Sequence, residues 1–275
     1  SVNHVTEKNL IFLKLGGSLI TDKHRPLTAR SGEIARIAAE IAETLEENPD
    51  IQLLLGHGSG SFGHAVASQY HTQAGGTSQE YWRGFADVWK AARELNQILI
   101  HHLASAGLPA LAFPPSAGVT ARNATFRHWD IQPVKMALSH NLIPVVQGDV
   151  VFDEVLGGTI FSTEQVFSFL SRALNPRRIL LAGMDAGVYD DLTKKDTIIP
   201  RITPVNINKI ISSLSGSEAA DVTGGMAGKI RWMLSLVESQ PDLQVQVFSG
   251  AVSGHIKQAL TGKKLGTRID SGSRL

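Results

Sequence analysis

The sequence contains no cysteine in its 275 residues. This absence excludes a disulfide framework and a thiolate metal site, and it is compatible with a reducing compartment. The 26 lysines and arginines nearly balance the 25 aspartates and glutamates, so no general positive field is available to hold a nucleic-acid backbone. Aromatic residues are also sparse, at 6%, and they form no stripe interleaved with basic residues. Any anion-binding site must therefore be local.

Long apolar runs are missing as well. No stretch approaches the roughly 18–20 apolar residues that span a bilayer, and the opening residues lack the charged region and apolar run of a secretory signal. Hydrophobic residues nevertheless make up 43% and charged residues 19% of the chain, which is ordinary for a globular protein with a sizeable core. The sequence predicts a soluble, cytoplasmic protein with no membrane or nucleic-acid partner.

Short apolar runs alternate with longer amphipathic segments along the chain. Strands are predicted at residues 11–15, 52–55, 109–113, 143–146, 178–182 and 243–248, and helices at residues 31–47, 81–106, 131–140, 163–174 and 227–239. Gly157-Gly158 separates two apolar arms, which predicts a hairpin. Strands that alternate with helices are typical of βαβ units. The predicted fold is therefore α/β, an open and mainly parallel central sheet sandwiched by helices.

Asn175-Pro176 interrupts this pattern and predicts a functional boundary near residue 175. The expected organisation is an N-terminal lobe at residues 1–175 and a C-terminal lobe at residues 176–275, with one continuous sheet running through both.

Glycines follow several of the predicted strands, and the carboxyl ends of parallel strands are where ligands bind. The first strand ends in Lys14-Leu15-Gly16-Gly17-Ser18, and Lys23 follows shortly after. Glycines let the backbone approach an anion and offer N–H groups to it, while Lys14 adds a positive charge. The alternative is a tight turn with a surface lysine.

The second strand end, from Gly56 to His64, holds four glycines and two serines in nine residues. Its N–H groups precede a predicted helix and form a candidate anion cradle. We expect His64, just beyond the loop, to donate a hydrogen bond to a phosphate oxygen. His57 lies closer to the strand, and a supporting or structural role is expected for it.

A third glycine turn, from Asp221 to Lys229, leads into an amphipathic helix. It is not a Walker A motif, because Ile230 follows the lysine. Two further strand ends, Gly148-Asp149 and the segment from Asp185 to Tyr189, combine small and acidic residues. These residues suit nucleotide contacts and the orientation of lysines or Mg²⁺.

Phosphoryl transfer accounts for this combination of residues. The transferred group is negatively charged throughout, so catalysis consists mostly of positioning, fixed positive charge and N–H donors. Two cradles, each with its own lysine, predict two anions held face to face. No general base is obligatory if the acceptor is already an anion.

The KLGGS strand end at Lys14 to Ser18, the glycine-rich second loop and the TGGM segment before Lys229 resemble the amino acid kinase family. The resemblance covers about residues 10–270. The second loop ends in Ser-Phe-Gly-His, with His64 last, which is similar to the family members that act on isopentenyl phosphate. The resemblance implies ATP and isopentenyl phosphate as substrates, Mg²⁺ carried by the ATP phosphates, and a homodimer. It places the acceptor in the N-terminal lobe and ATP in the C-terminal lobe.

The resemblance also implies roles for individual residues. The catalytic set is Lys14, Lys23, His64 and Glu164. The acceptor-binding set is Gly17, Ser18, Gly58, Ser59, Gly60, Gly63, His64 and Gly148. The nucleotide-binding set is Lys14, Gly16, Lys23, Asp185, Gly187, Tyr189, Gly224, Gly225 and Lys229, and Gly266-Thr267 resembles a family segment near the nucleotide. For the acceptor's tail, two helices offer Tyr70, Tyr81, Trp82, Phe85, Val88 and Trp89.

Two positions depart from the family pattern. Glu164 stands where the family usually has an aspartate, one methylene shorter, and Ser59 interrupts a triple glycine, which requires a negative φ at that serine. Two alternatives remain open on the sequence. One is the same fold acting on another small phosphate or on a phosphonate such as fosfomycin, and the other is a nucleotide-binding sensor without catalysis.

Overall fold

The computed structural model describes residues 8–191, 194–214 and 225–273, apart from four side chains at positions 64, 65, 213 and 214. Its strands are β1 (Asn9–Leu15), β2 (Ile51–His57), β3 (Ala110–Ala112), β4 (Thr120–Arg122), β5 (Thr125–His128), β6 (Ile143–Gln147), β7 (Asp149–Asp153), β8 (Gly157–Phe161), β9 (Arg178–Gly183), β10 (Arg201–Ile202), β11 (Gln244–Ser249) and β12 (Thr267–Ile269). Its helices are α1 (Gly17–Ile20), α2 (Ser31–Glu47), α3 (His64–Tyr70), α4 (Gln79–Ser105), α5 (Gln132–Ser139), α6 (Thr163–Leu174), α7 (Ile207–Leu214), α8 (Gly225–Ser239) and α9 (His255–Leu260).

Eight strands form the central sheet, in the order β10-β12-β11-β9-β1-β2-β6-β3. The pairs from β11 through β3 are all parallel, and β12 is antiparallel to β11. The sheet contains strands from both sides of residue 175. Helices cover both of its faces, so the predicted α/β sandwich is confirmed.

Side chains of β1 alternate between the two helical layers. Leu10 and Phe12 pack in the apolar core beside α5, α6 and α8, whereas Ile11 and Leu13 pack in the core beside α2, α4 and α9. Because successive strand residues point to opposite faces, residue 14 lies on the α6 side of the sheet. The same alternation along β2 places residue 57 on the α4 side.

A second sheet has four strands in the order β5-β4-β7-β8, all from residues 120–161. The predicted hairpin is its β7–β8 pair, but the turn was placed wrongly. Asp153 pairs with Gly157, so residues 154–156 form the turn and both predicted turn glycines lie in β8. Strands β4 and β5, three and four residues long, fall in a segment that the sequence pattern left as a loop.

The long helices agree closely with their predicted spans, because their apolar residues recur at helical spacing, and side chains cap the first turns of α4 and α6. Ser78 accepts the Tyr81 N–H at the start of α4, and Ser162 forms a capping box with Gln165 at the start of α6. None of the described helices is long and apolar enough to cross a membrane.

Candidate active site

A cavity of about 1080 Å³ lies where β1, β2, β6 and β9 end. This volume is at the upper end of ordinary ligand pockets, so it has room for more than one small molecule. The cavity is lined by most of the predicted site residues: Lys14, Gly16, Gly17, Ser18, Lys23, Gly58, Ser59, Gly60, Gly63, Gly148, Glu164, Asp185, Gly187, Tyr189 and Lys229. The structure therefore brings residues from all the glycine-rich strand ends to one place.

Lys14 and Glu164 form a buried ion pair at the floor of the cavity. The alternation of β1 turns Lys14 towards the first turn of α6, where its Nζ lies 2.5 Å from Glu164 Oε1. Burial alone would raise the pKa of Glu164, but the charges of Lys14 and Lys229 and the hydrogen bond from Lys14 outweigh it and lower that pKa. Glu164 is therefore an anion at neutral pH, and it reaches the lysine despite its extra methylene.

Four lysines, Lys14, Lys23, Lys195 and Lys229, line the same space. Lys14 enters from the central sheet, Lys23 from the exposed loop after α1, and Lys229 from the first turns of α8. Among the described residues, Glu164 is ion-paired with Lys14 and Asp185 with Lys195, so the cavity has more lysines than carboxylates paired with them. The cavity can consequently hold polyanions.

The glycine loops that follow β1 and β2 touch each other through their backbones. A Cβ atom added at Gly17 would overlap the backbone of Gly60, and one added at Gly58 would lie 2.8 Å from the Gly17 nitrogen. Gly60 also has a φ of +47°, which side chains rarely tolerate. These glycines are needed because the two loops approach each other closely. They also leave the loop N–H groups accessible to an anion.

Hydrogen bonding divides the loop N–H groups into two sets. Gly16 donates to Ala182 O over 2.8 Å and Gly58 donates to Leu15 O over 3.1 Å, so neither N–H is available to a ligand. The N–H groups of Gly17, Ser18, Ser59 and Gly60 have no acceptor in the described part of the protein. The φ of Ser59 is −97°, which meets the condition for a serine at this position.

Gly60→Ala should destabilise the protein by about 1–3 kcal/mol, because the new methyl group meets Thr21 and the backbone of Gly17 at a positive φ. Activity should fall with it as the loops separate. Gly32→Ala is the matched control, since nothing lies within 4 Å of its new Cβ and alanine favours helix α2 by about 0.5–1 kcal/mol. Chemical denaturation measures both variants. Equal stability of the two would contradict the close-approach argument.

Three predicted site residues are not placed in the cavity. His64 begins α3, directly after the second loop, but its side chain is outside the described part of the structure. Gly224 also lies outside the described residues. Gly225 is buried at the start of α8 and does not line the cavity, although its neighbour Met226 does.

The segment after β9 forms the opposite wall. Asp185, Gly187 and Tyr189 line the cavity there, and the loop is fixed because Val188 N–H donates to Thr267 Oγ1 over 2.8 Å. Lys195 lines the same wall with its Nζ 3.9 Å from Asp185 Oδ1. This lysine was not among the predicted site residues, because the contact depends on how the loop folds back.

An apolar extension of the cavity comes mainly from residues that the sequence analysis did not select. It is lined by Ala67, Val88, Ala92, Ile160 and Phe161. Of the six side chains offered for the tail, only Val88 lines the cavity, whereas Tyr81 and Phe85 are buried in the apolar cluster that Val88 and Ile160 also join. Helical periodicity identified the buried face of α4. It could not show that β8 packs against that face, because this contact depends on the tertiary structure.

Asp149 is a buried carboxyl on the cavity wall. Burial raises its pKa to about 6, although the N–H groups of Ser116 and Val150 donate to it over 2.9 Å and oppose the shift. Between about pH 4 and pH 6, the Asp149 carboxyl is therefore protonated in the folded protein, whereas it is ionised in the unfolded chain.

Ionisation of Asp149 should therefore lower the stability of the ligand-free protein as the pH rises from about 4 to about 6. The contribution from Asp149 is on the order of 3 kcal/mol, and Asp149→Asn should remove it. Denaturation at both pH values, with the surface variant Asp87→Asn as control, measures the difference. The prediction fails if Asp149→Asn retains the pH slope of the wild type.

No group of three or more histidines, aspartates or glutamates in the described ranges could hold a metal ion. The carboxylates at the cavity have protein partners instead: Glu164 pairs with Lys14, Asp149 accepts hydrogen bonds from backbone N–H groups, and Asp185 pairs with Lys195.

The chain belongs to the amino acid kinase family, whose family model matches residues 9–249. Within that family it is 36% identical over 267 residues to the isopentenyl phosphate kinase of Methanocaldococcus jannaschii, covering 95% of this chain and 98% of that protein. It is 35% identical over 269 residues to the isopentenyl phosphate kinase of Methanothermobacter thermautotrophicus, covering 94% and 98%. A solved isopentenyl phosphate kinase structure superposes with a TM-score of 0.81 at 32% identity, over 94% of this chain and 99% of that one.

Proposed function

We propose that this protein is a small-molecule kinase that transfers the γ-phosphoryl group of ATP to isopentenyl phosphate, giving isopentenyl diphosphate and ADP. The observation that carries the proposal is a single cavity with four lysines, an apolar extension, and four loop N–H groups that have no acceptor among the described residues. A charged head and a short apolar tail are the two parts of an alkyl monophosphate. The similarity to isopentenyl phosphate kinases over nearly the whole chain supports the same acceptor.

The N-terminal lobe, residues 1–175, would bind the acceptor. The phosphate of the acceptor would accept hydrogen bonds from the N–H groups of Gly17, Ser18, Ser59 and Gly60. It would accept a further hydrogen bond from His64. Gly58, Gly63 and Gly148 would let it approach the backbone closely. Its tail would lie along the apolar extension beside Val88 and Ile160.

The C-terminal lobe, residues 176–275, would bind ATP. Asp185, Gly187 and Tyr189 would lie along the nucleotide, while Lys229 and Lys23 would contact its phosphates. Gly16 would hold the loop after β1 in place, because its N–H donates a hydrogen bond to the carbonyl oxygen of Ala182. Gly225 begins α8, where a helix N-terminus favours phosphate, and Gly224, which precedes it in the sequence, would contact the same phosphates.

The chemical step needs little from the protein beyond positioning. An oxygen of the acceptor phosphate attacks the γ-phosphorus, a new P–O bond forms, and the bond from that phosphorus to the β–γ bridging oxygen breaks. The acceptor is already an anion, so no general base is required. Lys14 would bridge the two phosphates and offset the charge on the transferred group, and Glu164 would hold the Lys14 ammonium in place.

Mg²⁺ would be carried by the ATP phosphates, because the described residues supply no dedicated cage for it. When bound, the ion neutralises phosphate charge. We also propose a cytoplasmic homodimer, on the basis of the family resemblance and the absence of cysteine. Light scattering coupled to size-exclusion chromatography measures the oligomeric state.

A substrate panel tests the proposed reaction. Purified protein with Mg²⁺ and ATP should convert isopentenyl phosphate to the diphosphate, while fosfomycin and short alkyl monophosphates without a branched tail should react at least about tenfold more slowly, because they fill less of the apolar extension. Phosphorus NMR of the products identifies the new diphosphate. Turnover of fosfomycin alone would assign another acceptor, and ATP binding without turnover of any acceptor would indicate a sensor.

A further inference from the structure

A buried chain of hydrogen bonds runs beneath the second glycine loop. His57 is 1% exposed, and its Nδ1 lies 2.8 Å from the carbonyl oxygen of Gly58. On the other side of the ring, Nε2 lies 3.1 Å from Nδ2 of Asn96, a buried residue of α4. Arg93 Nη1 lies 3.1 Å from Asn96 Oδ1. None of these three side chains lines the cavity.

The direction of every bond in this chain is fixed by chemistry. Arginine has only donors, so Arg93 donates to Asn96 Oδ1, and the Asn96 amide must then donate to His57 Nε2. A carbonyl oxygen only accepts, so Nδ1 of His57 carries the proton and donates to Gly58. Burial, assisted by the positive charge of Lys14, lowers the pKa of His57 to about 4. The ring is therefore neutral at physiological pH and has one proton, at Nδ1.

This bond determines the orientation of the next peptide. All described peptide bonds are trans, and in a trans peptide the C=O and the N–H point in opposite directions. Because His57 holds the Gly58 C=O towards α4, the N–H of Ser59 in the same peptide is turned the other way. Ser59 lines the cavity, and its N–H has no acceptor in the described part of the protein.

We propose that His57 is a positioning residue for the kinase reaction: in its Nδ1–H tautomer, enforced by Asn96 and Arg93, it holds the Gly58–Ser59 peptide so that the Ser59 N–H faces the acceptor's phosphate. The inference rests on the proposed function for the identity of that phosphate. The orientation of the peptide itself rests only on the contacts around His57. Without the bond from His57, the peptide can rotate and turn a carbonyl oxygen towards the bound anion.

Two variants separate this role from simple packing. In His57→Asn, the amide nitrogen occupies the place of Nδ1 and can still donate to Gly58, but the contact with Asn96 is lost. In His57→Gln, the amide group occupies the place of Nε2, so the contact with Asn96 is kept and the donor to Gly58 is lost. A residue that only fills space between α4 and the loop gives the same result in both.

We expect His57→Gln to lower kcat/KM for isopentenyl phosphate by about 10²-fold, since small displacements of a binding group carry penalties of that order. Its KM for ATP should stay within about twofold of wild type. His57→Asn should remain within about tenfold of wild type, because the donor is restored. Equal losses in the two variants, or a larger loss in His57→Asn, would overturn the proposal.

A measurement on the wild-type protein needs neither a folded variant nor turnover. Long-range ¹H–¹⁵N correlation spectra distinguish the two histidine tautomers, and the Ser59 amide signal can be followed while inorganic phosphate is added. The proposal requires a protonated Nδ1 in His57 and a shift of the Ser59 amide on phosphate binding. An Nε2–H tautomer, or an unperturbed Ser59 amide at saturating phosphate, would overturn it. If isopentenyl phosphate is not turned over while both signals behave as expected, the assigned acceptor fails and the positioning role stands.

Discussion

Replacing Lys14 with methionine should lower kcat by on the order of 10³-fold or more, because the charge that offsets the transferred phosphoryl group is lost. Lys14 is 6% exposed at the floor of the cavity, where few water molecules can take its place. An assay of ADP release with isopentenyl phosphate as acceptor measures the effect. Lys90→Met, an exposed position on α4, is the control and should retain wild-type activity. A Lys14→Met variant within about tenfold of wild type would remove the central element of the proposed mechanism.

The same substitution should destabilise the protein, since Glu164 is left buried without its partner. Breaking a buried ion pair costs about 3–5 kcal/mol, and the nearby charge of Lys229 favours the lower end of that range. Adding Glu164→Gln should recover most of the stability while kcat stays low. This double variant separates the folding role of the pair from its catalytic role. If stability and activity recovered together, the loss of activity would be a folding effect.

His64→Ala should lower kcat/KM for isopentenyl phosphate by about 10²–10⁴-fold, because a hydrogen bond to the acceptor's phosphate is removed where charge develops. His64→Gln should recover part of the loss, since its amide can still donate. His101→Ala, on the exposed face of α4, is the control for loss of a histidine. Activity of His64→Ala close to that of the wild type would exclude the residue from acceptor binding.

The strands and long helices of this fold follow from local patterns. Short, largely apolar runs at residues 11–15 and 52–55, each followed by glycine, predicted β1 and β2, and helical spacing of isoleucines predicted α2. The same patterns placed the glycine loops at one edge of the sheet, because carboxyl ends of parallel strands share an edge. This rule is sufficient to bring Lys14, Gly60 and Asp185 into one cavity.

Long-range contacts were not predictable from the same information. The apolar extension depends on the packing of β8 against α4. The positions of Ile160 and Val88 in the sequence do not show that these two elements are in contact. The partner of Asp185, Lys195, lies ten positions away in a loop whose path depends on the bridge between Tyr189 and Ile198. The chain from Arg93 through Asn96 to His57 likewise joins a helix and a strand that are distant in sequence, so only the assembled fold reveals it.

The contact between Gly17 and Gly60 has a consequence for how rigidly the two glycine loops can present their N–H groups to one anion. The loops touch through main-chain atoms, whose hard-sphere radii do not change with side-chain rotamers. Steric exclusion between the backbones therefore limits how closely the N–H groups of the first loop can approach those of the second loop. Mutations elsewhere in the cavity can alter which molecule enters it, but they leave this spacing intact.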